Sequence, residues 1–240
     1  MKIKNVDLGS IRVVKGNSSK IIEWLGNEET KSVHLANSYT VTSLMSDSKF
    51  QILQNEYCIL DGKYLALFFK YIDSRALTMR GADLFRQTLN AYPTKFHLII
   101  GTPVLGVTKF REVLSEEFPN NLHIEVFNPP FTDNINEHIH KSSEPIITYK
   151  PDFVWVAIGT PKQDLLISEL CKYYPGRYIG IGAAINFVGQ SEAPIIFQKI
   201  GMEWLYRLIR NPRRLWRRYL VDGPKFIYIL IFNFYRLKIN

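Results

Sequence analysis

Cysteine is scarce in this chain. Cys58 and Cys171 are the two among 240 residues, they stand far apart, and no Cys-x-x-Cys or Cys/His cluster surrounds either. That arrangement supports neither a zinc site nor a disulfide framework, and it points to a reducing compartment. Long apolar runs are missing too. The longest, Phe226-Ile-Tyr-Ile-Leu-Ile-Phe232, stops at Asn233 and falls short of the roughly 20 residues that a membrane crossing needs. The start, Met1-Lys-Ile-Lys-Asn-Val-Asp7, lacks the apolar stretch of a secretory signal, so a cytoplasmic location is expected. Most of the chain also lacks net charge. Residues 196–240 hold ten Lys and Arg against two acidic residues, which accounts for the whole excess of +8 and leaves residues 1–195 neutral. No internal repeat or low-complexity stretch is present, and 46% hydrophobic with 22% charged residues permits a well-buried core.

Short apolar, β-branched runs recur at Val33–Asn37, Tyr57–Leu60, Phe96–Ile100, His123–Phe127, Phe153–Ile158 and Tyr178–Ile181. Between them lie amphipathic stretches at Gly81–Asn90, Val107–Phe118, Asp133–Lys141 and Lys162–Tyr173. Strand and helix alternating in this way predict an α/β fold, a Rossmann-like, mostly parallel sheet with helices on both faces. An opening hairpin near Gly9 or Gly16 is also expected. The composition changes near Ala193-Pro194, so the chain divides into an α/β domain, 1–194, and a basic, aromatic helical appendage, 195–240.

In open sheets of this kind ligands bind beyond the carboxyl ends of the strands. Four such ends carry polar or glycine punctuation: Asn37, Asp61-Gly62, Gly101-Thr-Pro103 and Gly159-Thr-Pro-Lys-Gln-Asp164. Asp-Gly is in itself a common turn. The fourth segment ends the most hydrophobic strand and opens a helix, whose first amides favour an anion; its plainer reading is a helix cap with Lys162 in solvent. It is not a P-loop, and Gly180-Ile-Gly182 lacks the third glycine of a dinucleotide fingerprint. In the appendage, six arginines fall within Arg207–Arg218. At about 100° per residue Arg207, Arg214 and Arg217 share one side of a helix, which Asn211-Pro212 interrupts as a capped second helix start. A cationic surface helix packed by its Leu and Trp residues is the bland alternative. Arginines this dense repel one another unless anions sit between them, and their planar fork suits phosphate.

Several of these segments, in order, resemble the WecG/TagA/CpsF glycosyltransferase family. They are Asn37, Asp61-Gly62, Arg80-Gly-Ala-Asp-Leu84, Gly159-Thr-Pro-Lys-Gln-Asp164, Gly180-Ile-Gly-Ala-Ala-Ile-Asn-Phe187, Ala193-Pro194, Gly201-Met-Glu-Trp-Leu-Tyr-Arg-Leu208 and Asn211-Pro-Arg-Arg-Leu-Trp-Arg-Arg-Tyr-Leu220. The resemblance implies an inverting transferase that moves a sugar from a UDP-sugar to a polyprenyl-pyrophosphate-linked saccharide in bacterial surface polysaccharide synthesis. It would work as a peripheral protein on the inner face of the plasma membrane. Asp61 falls where the family places its proposed general base, and Gln163 falls on the family's Pro-Lys-Gln motif. Arg207, Arg214 and Arg217 would clamp the diphosphate. Asn37, Arg80, Gly101, Gly159, Thr160, Lys162, Gly182 and Asn186 complete the expected substrate-binding set. Arg213, Trp216, Arg218 and Phe226 would face anionic lipid headgroups, each cation there contributing about 1 kcal/mol. The sequence has no Asp-x-Asp motif, so no metal is expected and arginines with helix amides would stabilise the leaving group.

The chain departs from the family pattern at Leu35, where members often have Thr, at Asp164 in place of Glu, and at Asn186 in place of Asp. Ser191–Pro194 lacks the basic residue common there. A nucleic-acid-binding protein with a basic arm is the competing class, but the neutral body offers no recognisable nucleic-acid module, so no nucleic acid is expected as partner. A catalytically silent relative is the other alternative, and a homo-oligomer stays open.

Overall fold

The computed structural model describes residues 12–14, 16–27, 32–40, 53, 56–62, 65, 78–101, 103–118, 123–130, 132, 134–187, 193–221, 223–228 and 231, without the side chains at 195, 198, 199, 214 and 218. Seven short strands form one sheet in the order β1-β3-β2-β7-β6-β4-β5. They are β1 (Arg12–Val13), β2 (Ser32–Ala36), β3 (Tyr57–Leu60), β4 (His97–Ile100), β5 (Ile124–Phe127), β6 (Phe153–Val156) and β7 (Arg177–Gly180). Every pairing between them is parallel. The expected Rossmann-like α/β architecture is therefore present. Strands β2, β4, β6 and β7 are buried at every position, which is why they read as unbroken apolar runs rather than as alternation.

Side-chain alternation along the strands divides the core between two faces. Val33, Leu35, Ile59, Ile99, Phe153, Trp155 and Ile179 pack with residues of α1 (Ser18–Leu25), α2 (Gly81–Ala91) and α3 (Val107–Glu117). Leu98, Ile100, Val154, Val156 and Tyr178 pack instead against Ile146 of α4 (Ile135–Tyr149) and Leu166, Ile167 and Leu170 of α5 (Lys162–Leu170). Beyond β7 come a 3-10 helix (Gly182–Phe187) and then α6 (Ile195–Ile200), α7 (Glu203–Arg210), α8 (Pro212–Trp216) and a π-helical turn (Arg217–Val221).

Three expectations need correction. No hairpin forms at Gly16: β1 pairs in parallel with β3, and the chain turns directly into α1, where the Asn17 side chain caps the helix by accepting from the Lys20 amide at 2.9 Å. A hairpin at Gly9 falls outside the described residues. Helix α4 does not stop at Lys141 but runs on through Pro145 to Tyr149. Burial of Ile146 against the sheet outweighs the hydrogen bond that an internal proline forfeits. Asn211, expected to cap the helix that Pro212 begins, makes no side-chain cap bond.

A buried histidine makes this fold sensitive to acid. His97 lies in β4, stacked on Phe153 with ring centroids 4.9 Å apart. Its Nε2 is 3.0 Å from the Tyr92 carbonyl, and the Trp155 indole donates to its Nδ1 at 3.2 Å. One nitrogen must donate and the other accept, so the ring is neutral. Burial pushes its pKa down to about 4, against a smaller raising effect of the Tyr92 carbonyl. The unfolded chain therefore binds a proton in the window between the unfolded value near 6.5 and about 4, whereas the folded chain does not. Stability present above pH 6.5 should fall as pH drops through that window, by on the order of 3 kcal/mol. Urea titrations of the protein and of His97→Gln between pH 7 and 4 check this: the histidine component of the slope should vanish in the variant.

Candidate active site

Strands β3, β2, β7, β6 and β4 lie side by side, so the residues that follow them line one edge of the sheet. Parallel register pairs Ala36 with Leu60, and the Asp61 amide donates to the Ala36 carbonyl at 2.8 Å. Asn37 and Asp61 are thus neighbours, each one residue past its strand and half-buried. The Asn37 side-chain oxygen accepts from the Thr40 amide at 3.2 Å and from its hydroxyl at 3.4 Å. That capping use leaves the Nδ2 group as the part of Asn37 suited to donate to a ligand.

At the centre of the edge, the loop after β6 turns through Gly159, at φ 91°, and Thr160 into α5. The N-cap residue Pro161 supplies no side-chain hydrogen bond. Gln163, in the first turn, is 2% exposed. Its Nε2 donates to the Thr160 hydroxyl at 3.2 Å, while its Oε1 is buried with no hydrogen-bond partner. The carboxamide lies over β7: a Cβ at Gly180 would stand 3.1 Å from Nε2, and one at Gly182, where φ is 51°, 3.4 Å from Oε1. Glycine at both places makes room for the amide. Lys162, read in isolation as solvated, reaches instead to the Thr132 carbonyl at 3.4 Å, beyond β5.

On the β4 side Gly101, at φ 150°, approaches β6 so closely that a Cβ there would meet Ala157 Cβ at 2.9 Å. Asn186 accepts from the Val104 amide at 2.9 Å, tying the 3-10 helix to the loop after β4. Leu35, where a Thr was the family expectation, is 6% exposed. It fills space above Gly81, where an added Cβ would come 2.6 Å from both Leu35 Cδ1 and Ala184 Cβ.

Among the described residues, the Glu203 carboxylate is one of the groups that join the carboxyl-terminal helices to this edge. Glu203, at the start of α7, meets Arg80 Nε at 3.4 Å through Oε1 and Arg207 Nη2 at 3.3 Å through Oε2. Arg80 stands immediately before α2 and is also 3.9 Å from Asp83. The Arg207 guanidinium lies over the Phe187 ring, 4.5 Å from its centroid, and the Phe187 carbonyl accepts from Arg86 at 3.0 Å. Two arginines expected at the substrate thus share one acidic partner. Arg213 and Arg217 are exposed. Arg214 and Arg218 lie in α8 and the π-helical turn, and their side chains are outside the described set. Trp216 is 48% exposed, but Phe226, expected at headgroups, is only 4% exposed. Its ring is packed within the protein, while its neighbours Ile227 and Tyr228 face outward.

Glu203, Phe187 and His34 escaped the sequence reading. Glu203 and Arg207 are four residues apart, a spacing at which opposite charges meet on a helix, so half of that link had a signal. Phe187 had none. His34 in β2 pairs with Asp164, Nδ1 to Oδ1 at 2.7 Å, and in register lies beside Cys58. The row of Cys, His and Asp is not a nucleophilic triad: Cys58 is fully buried, and burial first, then the Asp164 and Glu56 charges, push its thiol pKa well up. Among the described residues no group of three His, Cys, Asp or Glu side chains is placed to hold a metal ion, and no helix is long and apolar enough to cross a membrane.

The sequence model of the glycosyl transferase WecG/TagA/CpsF family matches residues 2–239, and the chain belongs to that family.

Glu203 carries the next expectation. Partly exposed ion pairs contribute about 0.2–1 kcal/mol each to global stability, so Glu203→Ala should leave the unfolding midpoint nearly unchanged. Hydrogen exchange of the α7 amides should nevertheless quicken several-fold, because local opening no longer breaks the contact to Arg80. Unaltered exchange in α7 would remove Glu203 as the tie between the two parts.

Proposed function

We propose that this glycosyltransferase is an inverting enzyme. It transfers a hexosyl group from a UDP-sugar to a hydroxyl of a polyprenyl-pyrophosphate-linked saccharide in bacterial surface polysaccharide synthesis. The observation that carries the reading is the meeting, at one sheet edge, of a carboxylate at Asp61, a buried amide at Gln163 with an unused oxygen, and a terminal helix that brings Arg207 into a shared contact with Arg80.

In this scheme the acceptor oxygen attacks the anomeric carbon from the face opposite the nucleotide. Asp61 takes the hydroxyl proton as the new carbon–oxygen bond forms. The bond from the anomeric carbon to the phosphate oxygen breaks, and its electron pair leaves with UDP. Arg80 and Arg207, joined by Arg214 and Arg217 from the carboxyl-terminal segment and by the first amides of α5, stabilise that growing charge. Gln163, Asn37 and the glycine-lined floor at Gly159 and Gly182 orient the sugar. No metal takes part.

The same segment brings the enzyme to the inner face of the plasma membrane. Ile209, Trp216, Leu220, Ile227 and Tyr228 are exposed at 48–69%, and Arg213 and Arg217 are exposed with them. Apolar and cationic groups together suit an interface with anionic lipid. They bring the base near an acceptor whose own lipid tail stays in the bilayer.

The test is release of UDP from a panel of UDP-sugars with a lipid-pyrophosphate acceptor, run with EDTA. Asp61→Asn should lower kcat by about 10²–10⁴-fold with thermal unfolding unchanged. Full turnover by that variant removes Asp61 as base, and loss of the wild-type rate in EDTA removes the metal-free scheme.

A further inference from the structure

His34 and Asp164 are 130 residues apart in sequence, yet their side chains meet at 2.7 Å with only 1% and 3% of each exposed. The row of the sheet that carries them explains how. Parallel register places Cys58, His34, Gly180 and Val156 side by side on β3, β2, β7 and β6, all toward the face covered by α5. Gln163 lies over Gly180, and the next residue, Asp164, lies over His34. The first turn of α5 is therefore held at two adjacent points, by an absent side chain under Gln163 and by a hydrogen bond under Asp164.

Such a pair is a costly way to hold a helix. His34 Nε2 and Asp164 Oδ2 are both buried without a partner, and a buried polar pair with unsatisfied atoms is commonly no more stabilising than an apolar pair of the same size. What a short hydrogen bond supplies and apolar packing does not is direction. The direction matters here because the N-cap of α5 provides none of its own. The neighbouring Gln163 also points a buried, unpaired oxygen toward Gly182.

We propose that His34 and Asp164 are positioning residues, a role that rests on the glycosyl-transfer reading. The His34 Nδ1–H donates to Asp164 and fixes the first turn of α5, so that the Gln163 carboxamide presents its free oxygen to accept from a hydroxyl of the donor sugar across Gly182. The pair also accounts for aspartate at a place where the family pattern has glutamate. A carboxylate one bond of roughly 1.5 Å farther out would overrun His34 in this register.

Two measurements on the full-length protein test the pair, one independent of turnover. In the first, the Gln163 side-chain amide is followed by NMR. It should give one sharp, slowly exchanging pair of signals in the wild type and in Asp164→Asn, which keeps the oxygen that accepts from His34. In Asp164→Leu and His34→Leu the signals should broaden and exchange at least tenfold faster. An unchanged Gln163 signal in both Leu variants overturns the proposal whether or not the protein transfers sugar. In the second, UDP release is measured. Asp164→Leu should lose about ten- to a hundredfold in kcat with the acceptor KM unmoved, Asp164→Asn should recover most of that loss, and Asp164→Leu should cost nothing further in a Gln163→Ala background. Additive losses in the double variant mean that Asp164 does not act through Gln163. A wild type that releases no UDP from any sugar refutes the transferase reading and with it the pair's link to a donor, while the amide signals still decide whether the pair orients Gln163.

Discussion

Parallel pairing of β2 with β7 is the constraint on which the site depends. The two strands are neighbours in space, registered His34 to Gly180, although nearly the whole body of the chain lies between them. That pairing joins the half of the sheet ending in Asn37 and Asp61 to the half ending in Gln163 and Gly101. A slip of one residue would turn every side chain of β2 to the opposite face. It would take His34 away from Asp164 and Leu35 out of the space above Gly81. Burial on both faces makes such a slip prohibitive, so the edge is rigid before any ligand arrives.

Rigidity does not extend in the same way to the carboxyl-terminal segment. Its helices are short, no residue of α7 is fully buried, and its attachment runs through Glu203, Arg207 and the Phe187 ring. Ion pairs of this exposure are individually weak. The segment nevertheless sets exposed cations, Arg213 and Arg217, beside exposed apolar groups such as Ile209, Trp216 and Leu220. In the proposed scheme one short stretch of chain would link the lipid surface and the nucleotide end of the cleft.

Much of this was legible in the sequence, for physical reasons that differ by element. Strands buried on both faces leave continuous β-branched runs, so β2, β3, β4 and β6 could be read directly. The carboxyl-end rule then pointed to Asn37, Asp61, Gly101 and Gly159 without coordinates. Strand β1 is two residues long, too short for any periodicity. The end of α4 was hidden by Pro145, because the packing of Ile146 that overrides it is a tertiary effect. Phe226 failed in the other direction: in an apolar run only the fold decides which ring turns inward. Contacts such as Glu203 with Arg80 and His34 with Asp164 join distant segments, and no local pattern announces them.

The shared carboxylate of Glu203 bears on how any polyanion would enter. Arg80 and Arg207 are already drawn together by an internal acid, so a phosphate docking on them would compete with a resident anion instead of meeting bare, hydrated cations. The affinity should then respond to ionic strength less steeply than the number of arginines suggests, and a weakly charged competitor should be turned away by the occupant it cannot dislodge.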